Sequence, residues 1–226
     1  MLSDVAGDGD GDGDGDGERL CMVCARTLGV GGVGVTVVAD GGPPATLCAS
    51  DAVAVRIEEL QYTLGEGPAI DAQAGGRAIA EPDLASPRRV RWPLLAGPAV
   101  EAGAGALFAF PLRTGAVRLG ALTLHQPRPG PLSDVQHSDA IAVADMVLHL
   151  VVARQADAPL GTLAADLAPL GSHRAEVHQA SGMVSVQLSV SVAEALVRLR
   201  ARAFREGRPL EAVAADVVAR RARFER

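Results

Sequence analysis

The sequence has few aromatic residues, few cysteines and no lysine. Aromatic residues make up 3% of the 226 positions although apolar residues make up 48%, so the core must be built from Ala, Val, Leu and Ile. The longest apolar stretch, 140–153, is interrupted by Asp145 and His149, which argues against a transmembrane span. Three cysteines are too few for a disulfide scaffold. Because the acidic N-terminus is unlike a signal peptide, we expect a cytoplasmic protein with no membrane partner.

Charge is distributed unevenly along the chain, and all 21 basic residues are arginine. Residues 1–18 hold seven acids and no base. Residues 19–172 hold 11 arginines and 14 acids, whereas residues 173–226 hold 10 arginines and six acids. The C-terminal quarter therefore carries a net charge of +4 in a chain of net charge −6. This asymmetry suggests that the acidic and basic regions have different electrostatic roles.

A strict Asp-Gly alternation from Asp8 to Gly17 predicts a disordered acidic tail over 1–18, because glycine is costly to order and the aspartates repel one another. A calcium loop starting at Asp8 would need a glutamate at its twelfth position, which is Arg19. A tail that competes with RNA for the arginines is an alternative role.

The order of helices and strands expected over residues 19–156 predicts a sensor domain in which an antiparallel sheet is flanked by helices. The strands are expected at 33–39, 46–49, 106–112 and 117–125, in two hairpins. Helices are expected at 20–28, at 52–60 with Asp51 as N-cap, and at 133–155 with a capping box of Ser133 and Gln136. Residues 64–98 are rich in Gly and Pro and predict a loop-heavy excursion, and a linker is expected at 157–172.

Residues 173–226 predict an all-α bundle of three helices. The first covers 174–188, and the second follows a capping box of Ser191 and Glu194 and ends near Gly207. The third is expected from Pro209 to about Phe224. The whole chain is therefore expected to be α+β followed by an all-α bundle.

The helical faces of this bundle indicate how it is used. At 100° per residue, Arg198, Arg202 and Arg205 share one face of the second helix, and Arg200 lies on the opposite flank near Phe204. Gly182 lies opposite the apolar stripe of the first helix, where glycine costs about 0.5–1 kcal/mol relative to alanine. A smooth face that admits another backbone would justify that cost, and neutral drift is the alternative.

The C-terminal quarter resembles the ANTAR domain, a three-helix RNA-binding module of transcription antiterminators. The resemblance is carried by residues 179–184, 191–196, 199, 203, 207–210 and 213–214. It implies RNA hairpins as partners, recognised in pairs, and hence a homodimer. Together with the arginine face, it leads us to expect RNA contacts at Arg174, His178, Gly182, Arg198, Arg202, Arg205 and Arg208. Phe204 and Phe224 are candidates for base stacking or for packing in the bundle.

Residues 20–155 are similar to the GAF domain that precedes ANTAR in many actinobacterial regulators. The motifs are 64–68 (LGEGP), 71–72, 83–84, 91–93 (RWP), 110–112 and 120–122. The resemblance implies a small-molecule ligand or a dimerisation platform. The expected ligand-binding residues are Glu66, Pro68, Asp71, Asp83 and Trp92. Ala69 replaces the cysteine found in many relatives, which argues against thiol-based sensing there.

Enzymatic signatures are missing from the sequence. It has no G-x-S-x-G, no Walker A motif and no G-x-G-x-x-G between a strand and a helix. Cys21 and Cys24 form a lone C-x-x-C, whereas a structural zinc site needs four ligands. We therefore expect no catalytic residues, no metal and no cofactor. The predicted function is signal-responsive transcription antitermination; the alternatives are a ligand or redox sensor whose helical bundle binds DNA or a protein.

Overall fold

A five-stranded antiparallel sheet forms the centre of the N-terminal part of the protein. The computed structural model describes residues 13–38, 44–86, 91–115, 117–155 and 173–225. The strands are β1 (Gly32–Val38), β2 (Pro44–Ala49), β3 (Ile79–Glu81), β4 (Ala106–Thr114) and β5 (Val117–Gln126). Their order in the sheet is β2-β1-β5-β4-β3. The two predicted hairpins are confirmed, and β3 joins β4 as an edge strand that the sequence did not reveal.

The central pairing of β1 with β5 explains one glycine of the 120–122 motif. Val37 is opposite Gly120, whose φ is +156°. A Cβ atom at Gly120 would lie 2.0 Å from the carbonyl oxygen of Thr36 on the neighbouring strand. Only glycine allows the two backbones to approach this closely.

Helices α1 (Gly13–Leu28) and α5 (Asp134–Gln155) cover one face of the sheet and share its larger apolar core. The capping box at the start of α5 is confirmed, because the Ser133 hydroxyl accepts from the Gln136 amide at 3.2 Å and Gln136 Oε1 accepts from the Ser133 amide at 3.1 Å. Among the described residues, α5 is the one unbroken helix that is long and apolar enough to cross a bilayer. Its inner stripe packs on the sheet, as core helices do. The absence of a membrane span stays a prediction.

Three further helices cover the other face: α2 (Ala52–Leu64), α3 (Pro68–Gly75) and α4 (Ala96–Glu101). The predicted loop over 64–98 is therefore wrong in part, since it contains α3, β3 and the start of α4. The predicted N-cap of α2 is confirmed: Asp51 Oδ1 accepts from the amides of Val53 and Ala54. Burial opposes ionisation of Asp51, but hydrogen bonds from Ala54, Ser50 and His125 together hold the pKa of this carboxyl below its ordinary value.

The N-terminal region differs from expectation in two ways. Helix α1 begins at Gly13, so six residues of the predicted disordered tail are helical, and 1–12 lie outside the described residues. Cys21 of α1 and Cys48 of β2 form a disulfide with Cα atoms 6.0 Å apart. No spacing in the sequence predicts this bond, because the two residues meet only when α1 packs on the sheet. Cys24 is a buried free thiol, one helical turn from Cys21.

The C-terminal part forms the predicted three-helix bundle, with α6 (His173–Leu188), α7 (Val192–Glu206) and α8 (Leu210–Val218). Ser191 caps α7 and Gly207 ends it in a left-handed conformation. The third helix is shorter than predicted. It ends at Val218, and Arg220 adopts φ +60°, which turns the chain out of the helix. Phe224 thus packs against the bundle core from a non-helical segment and not from a helical stripe. The predicted linker lies outside the described residues.

We predict that Cys24 does not react with iodoacetamide at pH 8 in the folded protein. Burial raises the pKa of its thiol to about 11, so thiolate, the reactive form, is scarce at that pH. Intact-mass spectrometry should show no label on the native chain, one label after denaturation, and three after denaturation with reduction. Rapid labelling of the native protein would show that the thiol is accessible. Two labels in the reduced native state would place the disulfide at the surface.

Candidate nucleic-acid interface

The two flanks of α7 carry arginines with different surroundings. Its buried stripe, Ala195, Leu196, Leu199 and Ala203, packs against α6 and α8. On one flank lie Arg198, Arg202 and Arg205, which line a single cavity of about 490 Å³. Arg200 lies on the other flank, as the helical wheel predicts. The sequence therefore placed the three cationic side chains together correctly.

The three arginines of the cationic flank differ in how firmly they are held. Arg198 pairs with Glu194 one turn earlier at 3.1 Å. Arg202 donates to Glu206 at 2.7 Å, and this hydrogen bond holds the pKa of that carboxyl below its ordinary value. In the part of the chain that the structure describes, no hydrogen bond or ion pair engages Arg205. Arg205 is the most available cation of the three.

Arg208, a predicted RNA contact, is part of an intramolecular network. It donates to Asp216 at 2.7 Å and contacts Glu206 at 3.3 Å, while Arg221 pairs with Asp216 from the opposite side. Hydrogen bonds from both arginines hold the pKa of Asp216 below its ordinary value. This network fixes the turn between α7 and α8, so the geometry gives Arg208 a structural role.

His178, another predicted RNA contact, faces the sensor domain. Its ring lies 6.4 Å from that of Tyr62, measured between centroids. Tyr62 extends from α2 into the apolar cluster of the bundle, and the Arg200 guanidinium lies 5.5 Å from the centre of the Tyr62 ring. Arg200 also donates to the backbone carbonyl of Tyr62. A Cβ on Gly65 would lie 3.0 Å from Arg200 Nη1, so the glycine makes room for the guanidinium.

The other two predicted RNA positions lie apart from the cationic flank. Gly182 is on an open face of α6, where an added Cβ would meet nothing within 4 Å. Nothing in the described part of the chain packs against it, which is compatible with the expected smooth face. Arg174 is in the first turn of α6, and its side chain lies outside the described residues. The structure thus brings together three of the seven predicted RNA contacts.

The predicted ligand-binding residues of the sensor domain mainly hold its loops together. Glu66 accepts from the amides of Leu94 and Leu95 at 2.7 and 3.0 Å. Asp71 accepts from the indole of buried Trp92 at 3.2 Å and pairs with Arg91 at 3.3 Å. Pro68 occupies the first turn of α3.

The Asp83 carboxylate accepts from the Ala85 amide at 3.2 Å, which closes a local turn. Like the contacts of Glu66 and Asp71, this bond stabilises the local backbone. A role for the five residues in ligand binding stays a prediction.

A buried polar cluster between α2 and the sheet was missed by the sequence analysis. Glu58 accepts from the Thr36 hydroxyl, and the Gln61 amide donates to Glu58 at 3.3 Å and to Thr123 at 3.5 Å. Gln61 also accepts from the amide of Ala69 in α3 at 2.8 Å. These side chains are at most 9% exposed. The available signal was one threonine in each of the two central strands, Thr36 in β1 and Thr123 in β5, since both hydroxyls face α2.

No cluster of three or more metal-ligating side chains occurs among the residues described.

Comparison with known proteins distinguishes the C-terminal bundle from the rest of the chain. Residues 171–218 match the family model of the ANTAR domain. The C-terminal bundle is an ANTAR domain. The matched residues therefore include the whole cationic flank of α7.

The sensor half has a GAF-like fold. It is similar to a domain of a putative two-component sensor histidine kinase from Sinorhizobium meliloti 1021, with 18% identity, a TM-score of 0.51, and coverage of 62% of this chain and 91% of that one. It is also similar to the GAF domain of an Acinetobacter phosphoenolpyruvate-protein phosphotransferase, with 9% identity, a TM-score of 0.50, and coverage of 66% and 88%. These likenesses show the fold alone. No curated protein matches the chain. An actinobacterial source stays a prediction.

We predict that Arg200→Met loosens the contact between the ANTAR domain and α2. Burial lowers the pKa of Arg200, so the guanidinium has a desolvation cost that the ring and carbonyl of Tyr62 offset. Its removal leaves that carbonyl without its donor, at a cost of about 1–3 kcal/mol. Hydrogen exchange should become faster both at the end of α2 and along α6.

The matched control is Arg198→Met on the opposite flank of α7, where the side chain is exposed and paired only with Glu194. It should leave exchange in α2 unchanged. If both variants exchange like the wild type, the Arg200–Tyr62 contact does not hold the domains together.

Proposed function

We propose that the protein is a cytoplasmic, signal-responsive transcription antiterminator whose ANTAR domain binds RNA hairpins through the cationic flank of α7. The observation that carries this proposal is the grouping of Arg198, Arg202 and Arg205 around one cavity, within the residues matched by the ANTAR family model. Arginine binds phosphate bidentately and stacks on bases, and unpaired nucleotides in RNA loops expose both groups.

The position of the sensor domain supports the same surface. The sensor domain contacts the bundle through Tyr62 at Arg200 and His178, on the flank opposite the cationic one. The RNA-binding flank is therefore open while the two domains are in contact. We infer that a change in the sensor domain acts on RNA binding by moving the bundle and its partner copy, not by uncovering these arginines.

A homodimer supplies the two ANTAR domains that a pair of hairpins requires. Large apolar side chains are exposed on the neighbouring helices α1 and α5, among them Met22, Ile141 and Val152. Exposed apolar groups on adjacent helices favour a protein interface. We propose a second copy as the partner, packed along α5.

The sensor domain is proposed to bind a small polar ligand and to have no enzymatic activity. The buried cluster of Glu58, Gln61 and Thr36 would supply acceptors and donors on the α2 side of the sheet. Thiol-based sensing is disfavoured, because Cys24 is buried and position 69 is alanine.

Charge reversal of Arg198 and Arg205 together should strongly weaken binding to an RNA hairpin, with the remaining affinity measurable at low salt. The reversal leaves out Arg202, which also holds the C-terminal residues in place. Losing two phosphate contacts lowers the slope of log K against log salt by about 1.4, at roughly 0.7 per contact for single strands. Fluorescence anisotropy over a salt series measures both quantities, and circular dichroism checks the fold.

The control is Arg77→Glu with Arg113→Glu, which changes the net charge equally on exposed positions of the sensor domain. Its affinity should stay near that of the wild type. Unchanged hairpin binding by the Arg198/Arg205 variant would exclude this flank as the interface. Preference for duplex DNA of the same stem sequence would favour the DNA-binding alternative.

The pair Ile141→Glu and Val152→Glu should convert a dimer into a monomer. Both side chains are about half exposed, at 53% and 45%, so the monomer keeps its fold. Light scattering should give twice the protomer mass for the wild type and the protomer mass for the variant. Val117→Glu, 55% exposed at the β4–β5 turn, is the control and should stay dimeric. A monomeric wild type, with and without RNA, would refute the dimer.

A further inference from the structure

The last residues of the chain, 219–225, form a structured segment that lies beyond the matched ANTAR residues. We call it the C-terminal segment. The left-handed Arg220 turns it back, and the amides of Arg221 and Ala222 both donate to the Asp216 carbonyl, at 2.7 and 3.0 Å. Ala222 is buried in the bundle. The segment is therefore an integral part of the bundle surface.

Phe224 is fixed in this segment from two sides. Its backbone amide donates to Gln187 Oε1 of α6 at 2.9 Å. The Arg202 guanidinium of α7 lies 5.0 Å from the centre of its ring and also donates to the Arg223 carbonyl at 2.8 Å. Arg202 thus joins the cationic flank to the C-terminal segment and orients the aromatic ring.

Two cavities flank Phe224, and their linings differ in chemistry. The first, of about 430 Å³, is lined by Met183, Gln187, Arg220, Arg223, Phe224 and Glu225. The second is the cavity of the cationic flank, and it shares Arg223, Phe224 and Glu225 with the first. The two cavities therefore meet at Phe224, where the first adds the thioether of Met183 and the amide of Gln187.

This continuity suits one nucleotide of a single strand. A planar base fits against an aromatic ring and a thioether, and stacking of this kind is tolerant of base identity. Gln187 uses its oxygen for the Phe224 amide, so its NH2 group is the part left to donate to acceptors on a base edge. Within the described residues that NH2 group has no hydrogen-bond partner. Arginines beside the pocket suit the adjoining phosphates.

We propose that the first cavity binds one unpaired nucleobase of the RNA and that Arg205 and Arg223 bind the phosphates next to it. This proposal rests on the proposed function, because it assigns the nucleotide that the cationic flank holds. It adds the C-terminal segment, with Arg223 and Phe224, to an interface otherwise confined to α7. An acidic peptide would satisfy the arginines but not the stacking surface formed by Met183 and Phe224.

The test compares two anionic chains that differ only in their bases. Fluorescence anisotropy of the full chain is measured with oligo(rA) and with an abasic ribose-phosphate chain of equal length. The wild type should prefer oligo(rA) by about 5- to 160-fold, the range expected for stacking one base. Phe224→Leu should remove most of that preference. Arg223→Gln should weaken both probes alike and lower the salt slope by about 0.7.

Phe204→Leu is the matched control, because Phe204 is a 72% exposed aromatic on the flank of α7 opposite the cationic one. It should keep the wild-type preference. Ultraviolet crosslinking of the wild type to 4-thiouridine-labelled oligo(rU) needs no variant. The attached residues, mapped by mass spectrometry, should lie at Met183 or in 220–225. This crosslinking experiment tests the base site even if Phe224→Leu destabilises the bundle.

The outcomes separate this proposal from the proposed function. Equal binding of oligo(rA) and the abasic chain, or crosslinks confined to other parts of the protein, would overturn the base site while hairpin binding persists. Displacement of oligo(rA) by polyglutamate at equal concentration would also overturn it and favour an acidic partner. If the wild type binds neither hairpin nor oligonucleotide, both proposals fail.

Discussion

The partly buried guanidinium of Arg200 decides which side of the ANTAR bundle faces the sensor domain. A buried cation is costly unless it is matched, and here it meets the face of Tyr62 and a carbonyl at the end of α2. The carboxyl end of a helix carries partial negative charge, which adds to the match. Because this flank of α7 contacts α2, the opposite flank, with Arg198, Arg202 and Arg205, faces away from the sensor domain.

The arginines of the ANTAR domain therefore have different roles, which depend on the groups that each one contacts. Arg200 holds the sensor domain, Arg208 fixes a turn through Asp216, and Arg202 orients the C-terminal segment. Arg205 and Arg223 remain as exposed cations beside the two cavities. Since arginine keeps its charge at every physiological pH, a division of this kind is set by geometry and is insensitive to pH.

The sequence predicted what depends on local pattern. Strand periodicity gave both hairpins, and the polar caps Asp51, Ser133 and Ser191 gave the helix starts correctly. It failed where the cause is tertiary. The end of α8 at Val218 depends on packing of the C-terminal segment, and the meeting of Cys21 with Cys48 depends on how α1 lies on the sheet. Resemblance suggested Glu66 and Asp71 as ligand residues, but only the fold shows that they cross-link loops.

The contact of Tyr62 with Arg200 also lies next to the buried polar cluster in sequence. Gln61 points into the sensor domain, where it joins Glu58 on α2, Thr123 on β5 and Ala69 on α3. The next residue, Tyr62, points out of it into the bundle. The hydrogen-bonded side chain of Gln61 and the Tyr62 carbonyl that Arg200 binds therefore belong to consecutive residues at the end of α2.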